Sequence, residues 1–341
     1  MKFKYTISIL LCLSSAYLQG TNYVIQDLGT LNTEASHAIS INNQNVVIGY
    51  FQQDENIEKF IWDQKNSGLT FLPIIDSRRM NSCNPKLNNN NQVADIFLHA
   101  DLGWFIDTFT QRISIYDKGD IQEIDFPKTW KDYGRLSIVA FNENQQMLVT
   151  CDKGIAVWQN GTFTEIDSSA LIKAYGMNNQ GLIIGTKQTV KDGNEIKMVG
   201  IYNFMDDSFI EITKDTGFYN LHINDRNEVI FFKLLPLKGF FWNPTNGFVE
   251  LANFLPMAFN NCGQIVGMKV TNSENPSDIE ERMVPVMWSK GEFAPISILN
   301  DDQSLWNKSV PKFYGLNDNG YIVYDSKTPE GKSHAFLLVP Q

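Results

Sequence analysis

The amino-acid sequence predicts an all-β fold: a single seven-bladed β-propeller of four-stranded blades. Three observations lead to this prediction. A turn motif occurs seven times, its copies are spaced by about 46 residues on average, and a β-rich apolar run follows each copy. Such a spacing is typical of a repeated unit that packs only on its neighbours. We therefore expect one closed ring, although 341 residues could hold two domains.

The turn motif predicts a β-hairpin at the start of each unit. Every copy has an apolar residue followed by an asparagine, and these asparagines are Asn42, Asn88, Asn142, Asn178, Asn224, Asn260 and Asn317. An Asn side chain can hydrogen-bond the backbone two residues on, and in six copies the residue three positions later is Asn or Gly, which tolerate a left-handed backbone. Gln145 occupies that place in the third copy. There we expect either a register shifted to Asn144 or local strain.

Two further patterns complete the four strands of each blade. The outer strand is predicted by a large apolar residue with Ile or Leu three positions later, at Ile25/Leu28, Phe71/Ile74, Ile121/Ile124, Phe163/Ile166, Phe209/Ile212, Phe248/Leu251 and Phe293/Ile296. The segment before it ends in an aromatic residue, at Trp62, Tyr116, Trp158, Tyr202, Trp242, Trp288 and, least clearly, Phe336. The motif hairpin supplies the other two strands.

The order of the strands predicts that both ends of the chain share the closing blade. An outer strand from Tyr23 precedes the first motif, and the last unit stops after SHAFLLVP without an outer strand of its own. Pairing the two ends removes an open sheet edge that would invite aggregation. We expect such a ring to be monomeric.

The first 20 residues predict a cleaved export signal, with residues 21–341 forming the propeller. Lys2 and Lys4 precede a short apolar run and then small residues, and the run is too short to span a bilayer. Cleavage is expected after Ala16 or Gly20. Cys12 follows Leu11, where a lipid-attachment site needs a small residue. The prediction is therefore a periplasmic or extracellular protein that is not inserted in a membrane.

Charge and cysteine content narrow the possible partners. The net charge is -10, and loss of Lys2 and Lys4 with the signal leaves 26 basic residues against 38 acidic ones, a net charge of -12. An acidic surface disfavours nucleic acid and anionic membranes, while cations, basic proteins and neutral glycans remain open. Cys83, Cys151 and Cys262 would remain, so at least one thiol is unpaired. They are either small buried hydrophobes or include a Cys83–Cys151 disulfide.

The segment YVIQDLGTLNTEASHAISINNQNVVIGY from Tyr23 resembles the HAF family of exported repeats. Units of that family contain a DLGTLGG-like stretch, an Ile-Asn-x-x-Gly turn, Val-Val-Gly and a His-Ala-Phe strand, and this chain carries SHAF at Ser333 to Phe336. It departs from the family in having LNT in place of the Gly pair and in lacking His-Ala-Phe in six of seven units. The resemblance implies an exported β-propeller. It brings no catalytic residues, because the family has no settled activity.

Four long connections predict a binding surface at one end of the ring. They begin near Ile75, Phe126, Val270 and Ser297, whereas the turns at the other end are short and uniform. Variable loops on a rigid scaffold are where binding concentrates. The candidate binding residues are Arg78, Arg79, Trp130, Lys131, Tyr133, Arg135, Asp301, Asp302 and Trp306. Aromatic loop residues suit sugar rings or peptides, but they could instead cover the core.

No catalytic motif accompanies the repeat. Nucleophile elbows, phosphate loops and dinucleotide fingerprints are absent from the sequence, and His37, His99, His222 and His334 show no metal-ligand spacing, so we expect no metal or cofactor and interpret each histidine as structural or superficial. The leading hypothesis is a non-catalytic protein that recognises a protein or glycan through the long loops. One alternative is a glycan-cleaving hydrolase or lyase that uses Asp301 and Asp302 with the channel residues Lys86 and His222. A structural envelope component is another alternative.

Overall fold

The structure is a computed structural model that describes residues 22–30, 33–54, 56–65, 68–72, 84–102, 107–125, 135–270, 283–299, 311–328 and 330–341. These residues form 29 β-strands arranged in seven sheets. The described part of the chain contains no helix, and hence none that is long and apolar enough to cross a membrane. The all-β prediction is therefore confirmed.

Each of the first six blades is an antiparallel sheet whose four strands follow one another in the chain. The first blade consists of β2 (Ala35–Ile41), β3 (Val46–Gln53), β4 (Asn56–Asp63) and β5 (Gly68–Phe71). The second consists of β6 (Lys86–Leu87), β7 (Val93–Leu102), β8 (Asp107–Asp117) and β9 (Asp120–Ile124). The third consists of β10 (Ser137–Phe141), β11 (Met147–Cys151), β12 (Gly154–Gln159) and β13 (Thr162–Ile166).

The next three blades repeat this order. The fourth consists of β14 (Lys173–Met177), β15 (Leu182–Lys191), β16 (Asn194–Asn203) and β17 (Ser208–Thr213). The fifth consists of β18 (Tyr219–Ile223), β19 (Val229–Leu234), β20 (Leu237–Asn243) and β21 (Gly247–Ala252). The sixth consists of β22 (Phe254–Phe259), β23 (Ile265–Val270), β24 (Met283–Ser289) and β25 (Glu292–Pro295).

The seventh blade joins the two ends of the chain, as the sequence predicts. It consists of β27 (Lys312–Leu316), β28 (Ile322–Lys327), β29 (Ser333–Pro340) and β1 (Asn22–Asp27). The strand β1 pairs antiparallel with β29, from Tyr23 opposite Pro340 to Asp27 opposite Phe336. A short strand, β26 (Ser297–Ile298), adds to the outer side of β1 in parallel. The ring is thus closed by backbone hydrogen bonds.

The two ends of the ring differ. The first strands of successive blades contact each other around the axis, and we call them the inner strands. All of them run towards the end that carries the Asn motifs and the short turns before the outer strands, which we call the turn end. Hairpins between the second and third strands, together with the connections between blades, occupy the opposite end, which we call the loop end.

The core is divided among the interfaces between blades. The described residues contain seven hydrophobic clusters, one for each pair of neighbouring blades. The residue five positions after each motif Asn is at most 1% exposed, and these residues are Val47, Val93, Met147, Ile183, Val229, Ile265 and Ile322. Sheets covered on both faces can bury consecutive apolar residues, which explains the unbroken apolar runs.

Two local predictions were wrong, and the structure decides between the two alternatives for Gln145. The register is not shifted to Asn144: Asn142 holds the turn in the normal register, and Gln145 adopts the less favourable left-handed conformation, with φ at 56°. In the first blade Leu69, not Phe71, pairs with Trp62, so the outer-strand pattern begins at Leu69 with Leu72 three positions later; Ile74 lies outside the described residues. In the seventh blade Leu338, not Phe336, faces Ile322 in the place that aromatic residues hold elsewhere.

Candidate functional site

The seven motif asparagines form a closed circuit of hydrogen bonds at the turn end, which we call the Asn ring. Each carboxamide oxygen accepts two backbone N–H groups of its own turn; for Asn178 these are Gln180 N at 3.1 Å and Leu182 N at 3.0 Å. Each carboxamide nitrogen donates to the backbone carbonyl of the next motif Asn, at 2.8 to 3.1 Å. The last bond, from Asn317 to the carbonyl of Asn42, closes the circle.

A second polar ring lies outside the first. It consists of the residues that follow each motif Asn, namely Asn43, Asn89, Glu143, Asn179, Asp225, Asn261 and Asp318. In six of seven places the backbone N–H of one member donates to the side-chain oxygen of the next member, at 2.7 to 3.0 Å. Together the two rings line a depression of about 230 Å³ on the ring axis.

The carboxylates of this depression are already bound by amides. Asp318 accepts Asn261 N at 2.7 Å and the side-chain amides of Asn43 and Asn261 at 2.7 and 3.0 Å. Asp225 likewise accepts the side-chain amides of Asn179 and Asn261, each at 2.9 Å. Within the described residues no group of three His, Cys, Asp or Glu could hold a metal ion. The turn end therefore works as an interlock between blades.

Lys86 of the second blade and His222 of the fifth, the two residues expected at the channel, lie on inner strands, each two positions before the motif Asn. Each has a polar neighbour on its own strand segment: Lys86 Nζ donates to Asn84 Oδ1, and His222 Nε2 lies 2.9 Å from Asn220 Oδ1. Burial lowers the pKa of Lys86 to about 8, while burial and then the Lys86 charge lower the pKa of His222 to about 4. His222 nevertheless has accessible surface, although protein surrounds its imidazole. The expected channel pair is thus electrostatically coupled.

A second group of ionisable residues lies where the first and seventh blades meet, and we call it the seam cluster: His37, Tyr50, Tyr314 and Asp325. His37 Nδ1 lies 2.7 Å from Asp325 Oδ2, and the His37 ring stacks on Tyr50 with centroids 4.8 Å apart. The other Asp325 oxygen accepts Ala38 N at 2.8 Å. Tyr314 also hydrogen-bonds Asp325.

The inner strand of the seventh blade presents Tyr314 by means of a β-bulge. The register between β27 and β28 shifts between Phe313 and Gly315, so Tyr314 has no partner residue in the ladder. Bulges turn a side chain out of the regular alternation. Tyr314 is 41% exposed although enclosure in the ring, followed by the nearby Asp325 charge, raises the pKa of its hydroxyl well above the usual value.

The seam cluster has defined acid–base chemistry. Because an ionised Asp325 can only accept hydrogen bonds, His37 carries a proton on Nδ1, and its Nε2 holds the lone pair when the ring is neutral. Asp325 is 6% exposed and His37 21%, so the carboxylate is the buried support and the imidazole is the accessible partner. Such a group can bind a hydroxyl or accept a proton.

Most of the sequence-predicted binding residues lie outside the described part of the chain. These are Arg78, Arg79, Trp130, Lys131, Tyr133, Asp301, Asp302 and Trp306. Arg135 is described and exposed, with its backbone N donating to Asp152 Oδ2 at 3.2 Å. At each of the four long segments, the preceding strand ends and the following strand begins at the loop end of the ring. Cys151 and Cys262 are free thiols, and Cys83 lies among the undescribed residues.

The seam cluster was missed at the sequence level. His37 and Asp325 are 288 positions apart, and the interpretation of His37 as structural or superficial did not include a carboxylate partner. The predicted closure contains one signal for it, because closure makes the first and last blades neighbours. Ionisable residues on the facing strands of those two blades, such as His37 and Asp325, are therefore able to meet.

Comparison with known proteins supports the fold. No family model and no curated protein matches the sequence. Among solved structures, the β-propeller domain of the Trilobed protease from Pyrococcus furiosus is 12% identical with a TM-score of 0.58, covering 94% of this chain and 97% of that one. The chain has the β-propeller fold.

Two further structures show the same likeness. Virginiamycin B lyase from Staphylococcus aureus is 13% identical with a TM-score of 0.55, over 93% of this chain and all of that one. A chain of the Mitotic Checkpoint Complex is 11% identical with a TM-score of 0.54, and the match covers 100% of this chain and 98% of that one. Proteins with such different activities share the architecture, so the likeness carries no activity to this propeller.

Proposed function

We propose that this propeller is an exported recognition protein that binds a glycan or protein at its loop end. The observation that carries the proposal is the seam cluster. It combines an exposed tyrosine, a stacked His–Tyr pair and a buried carboxylate on rigid strands. Sugar-binding sites use aromatic faces together with a few fixed hydrogen-bonding groups, which favours a glycan over an apolar peptide.

The interlocked turn end supports this assignment. Its polar groups are used between blades, so it supplies rigidity and offers few free groups to a ligand. At the loop end the blade connections vary in length, as expected for a surface adapted to one partner. The proposal thus divides the ring into a structural end and a working end.

Export rests on the first 20 residues and on the resemblance to HAF repeats. We expect a mature chain that starts near Tyr17 or Thr21. Intact-mass measurement of the protein from its native host tests this, and a terminus at Met1 or Lys2 would contradict export by cleavage.

A glycan array probed with residues 21–341 tests the binding proposal. Tyr314→Ala should weaken binding to any positive glycan by about 2 kcal/mol, since an aromatic at the centre of a site contributes that much. Tyr219→Ala is the matched control, because Tyr219 is also an exposed tyrosine on an inner strand, at 52%, but lies outside the seam cluster. Equal affinities for both variants and the wild type would remove the seam cluster from the site. A pull-down with the same proteins tests a protein ligand.

The second candidate is a glycan-active hydrolase or lyase. The observation that favours it is His37, whose Nδ1 is held by Asp325 so that Nε2 can accept a proton. Incubation with an array-positive oligosaccharide, followed by product analysis, distinguishes it from simple binding. His37→Gln should abolish turnover, whereas His334→Gln should not, although His334 also pairs with an aspartate, Asp27, at 2.8 Å. An unchanged oligosaccharide supports the recognition function.

A further inference from the structure

We infer that a cleft between the fourth and fifth blades at the loop end binds a small organic carboxylate. The cleft brings Lys173 and Lys197 together with the hydroxyls of Tyr175 and Thr186. It lies away from the seam cluster, which is formed by the first and seventh blades. The inference therefore stands independently of the glycan proposal.

The cleft is a formed cavity of about 250 Å³. The strands β14, β15 and β16 supply one side, and residues 216–218, which lead into β18, supply the other. Tyr175 is the bulged residue of its inner strand, in the place that Tyr314 holds in the seventh blade. Its hydroxyl lies 3.2 Å from Thr186 Oγ1, and Lys173 Nζ lies 4.9 Å from the centre of its ring.

The charges of the cleft favour an anion. Its lining includes two lysines and no acidic residue, in a protein of net charge -10. The aspartate nearest in sequence, Asp215, forms an ion pair with Lys233. Two ammonium groups and two hydroxyls can supply the donors that a carboxylate accepts. The local sign of charge is thus opposite to that of the whole molecule.

The walls of the cleft favour an organic acid over a bare inorganic anion. Val199, at 2% exposed, and Leu221, at 4%, line the cavity together with part of Phe218. A carboxylate could pair with the lysines while its hydrocarbon part covers these apolar side chains. The cavity is too small for a polymer, so the expected ligand is a single acidic unit.

Calorimetric titration of residues 21–341 tests the inference. The probes are D-glucuronate and benzoate, with D-glucose and benzyl alcohol as their neutral matches and inorganic sulfate as the bare anion. We expect at least one carboxylate to bind more tightly than its neutral match. Lys197→Gln and Lys173→Gln should each weaken that binding by about tenfold, the loss typical of one charge-assisted hydrogen bond.

Lys191→Gln is the matched control, because Lys191 is an exposed lysine at the end of the same blade but outside the cleft. It should leave the affinity within about twofold of the wild type. Thermal melts verify that all three variants are folded. Absence of binding by both carboxylates, equal binding of the neutral matches, tighter binding of sulfate, or equal losses in Lys191→Gln would each overturn the inference.

Discussion

At the scale of single residues, the motif asparagines explain why one amino acid recurs seven times. Each Asn accepts two backbone N–H groups in its own turn and donates to the next blade. Aspartate lacks the donor, and serine has too short a side chain to reach both sides. All seven are at most 6% exposed, so a lost partner would not be replaced by bulk water.

Asn178→Ala should therefore lower the free energy of unfolding by about 3 kcal/mol, because two accepted and two donated hydrogen bonds are lost, at about 0.5 to 1.5 kcal/mol each. Urea denaturation measures the change. Asn194→Ala, an exposed asparagine in a hairpin, is the control and should stay within about 0.5 kcal/mol of the wild type. Equal losses for the two variants would contradict the role of the Asn ring.

The channel pair gives a second residue-scale prediction. The folded pKa of His222, about 4, lies below its ordinary value of 6.5, partly because of the Lys86 charge. Lys86→Met should raise the pKa of His222, as measured by NMR titration of the imidazole. Lys233→Met, which removes a lysine outside the channel, should not change it. A constant His222 pKa in Lys86→Met would place the two side chains too far apart to interact.

The His222 shift also affects stability. Between pH 6.5 and 4 the unfolded chain binds a proton on this histidine that the folded chain does not, so acid favours unfolding. The stability gained by keeping His222 neutral in the folded chain is therefore fully present above pH 6.5, the unfolded pKa, and is lost as the pH falls through about 4, the folded pKa. The free energy of unfolding, measured by urea denaturation at a series of pH values, should therefore fall less steeply from pH 6.5 to 4 in His222→Gln than in the wild type.

At the scale of elements, the bulges of the inner strands separate scaffold from sites. Six of the seven inner strands show a register shift just before the motif Asn. Two of the bulged residues, Tyr175 and Tyr314, belong to the cleft and to the seam cluster. The Tyr175 ring also packs against the hydrophobic cluster between the fourth and fifth blades.

The strand β1 is the element on which closure depends. Deletion of residues 21–29 should destabilise the whole ring, because it removes Tyr23 and Leu28 from the core, at about 1.5 to 3 kcal/mol for each fully buried side chain, and opens a sheet edge. Deletion of nine residues from 271 to 279 is the length-matched control and should cost much less. Thermal melts compare the two, and equal melting temperatures would contradict the shared blade.

The long connections allow a test of the aromatic residues predicted from sequence. Simultaneous replacement of Trp130, Tyr133 and Trp306 by Ala should abolish binding at the loop end and leave the melting temperature nearly unchanged, because binding residues contribute to recognition and little to folding. If these residues cover the core instead, stability should fall by about 3 to 5 kcal/mol for each buried one. Early melting with binding retained would exclude them from the binding surface.

At the scale of the whole molecule, the ring is stabilised by repetition. Each interface between blades has its own hydrophobic cluster, and the Asn ring connects all seven at the turn end. The ends of the described chain meet, since Gln341 N donates to Asn22 O at 2.9 Å. The ring is therefore closed by the pairing of β1 with β29, and a covalent link between the two chain ends should be compatible with it.

A circular permutant tests this. A short linker from Gln341 to Asn22, with new ends between Asp192 and Gly193 in an exposed hairpin, should give a melting temperature close to that of the parent. New ends between Asn144 and Gln145 should lower it clearly, because that cut opens one turn of the Asn ring. Equal melting of the two permutants would show that the ring contributes little to stability.

The sequence by itself determined the number of blades, the strands within each blade and the sharing of the last one. It could do so because the chain repeats the same local pattern seven times: a turn with Asn, a fully buried apolar position and, in six copies, an aromatic residue on the third strand. Errors were confined to single copies where the repeat is degenerate. Leu69 and Leu338 hold places that their partners on the neighbouring strands define, and Gln145 takes the left-handed turn position that Asn or Gly holds in the other copies.

Only the tertiary structure decided where reactive groups meet. His37 and Asp325 come together because closure makes the first and last blades adjacent, and Tyr314 joins them through a bulge that no periodicity announces. Lys173 on β14 and Lys197 on β16 line the same cleft, although the whole of β15 lies between them in the sequence. The physical reason is that backbone hydrogen bonding and burial act through local, repeated patterns, whereas a site depends on distances between side chains that the pattern leaves free to vary.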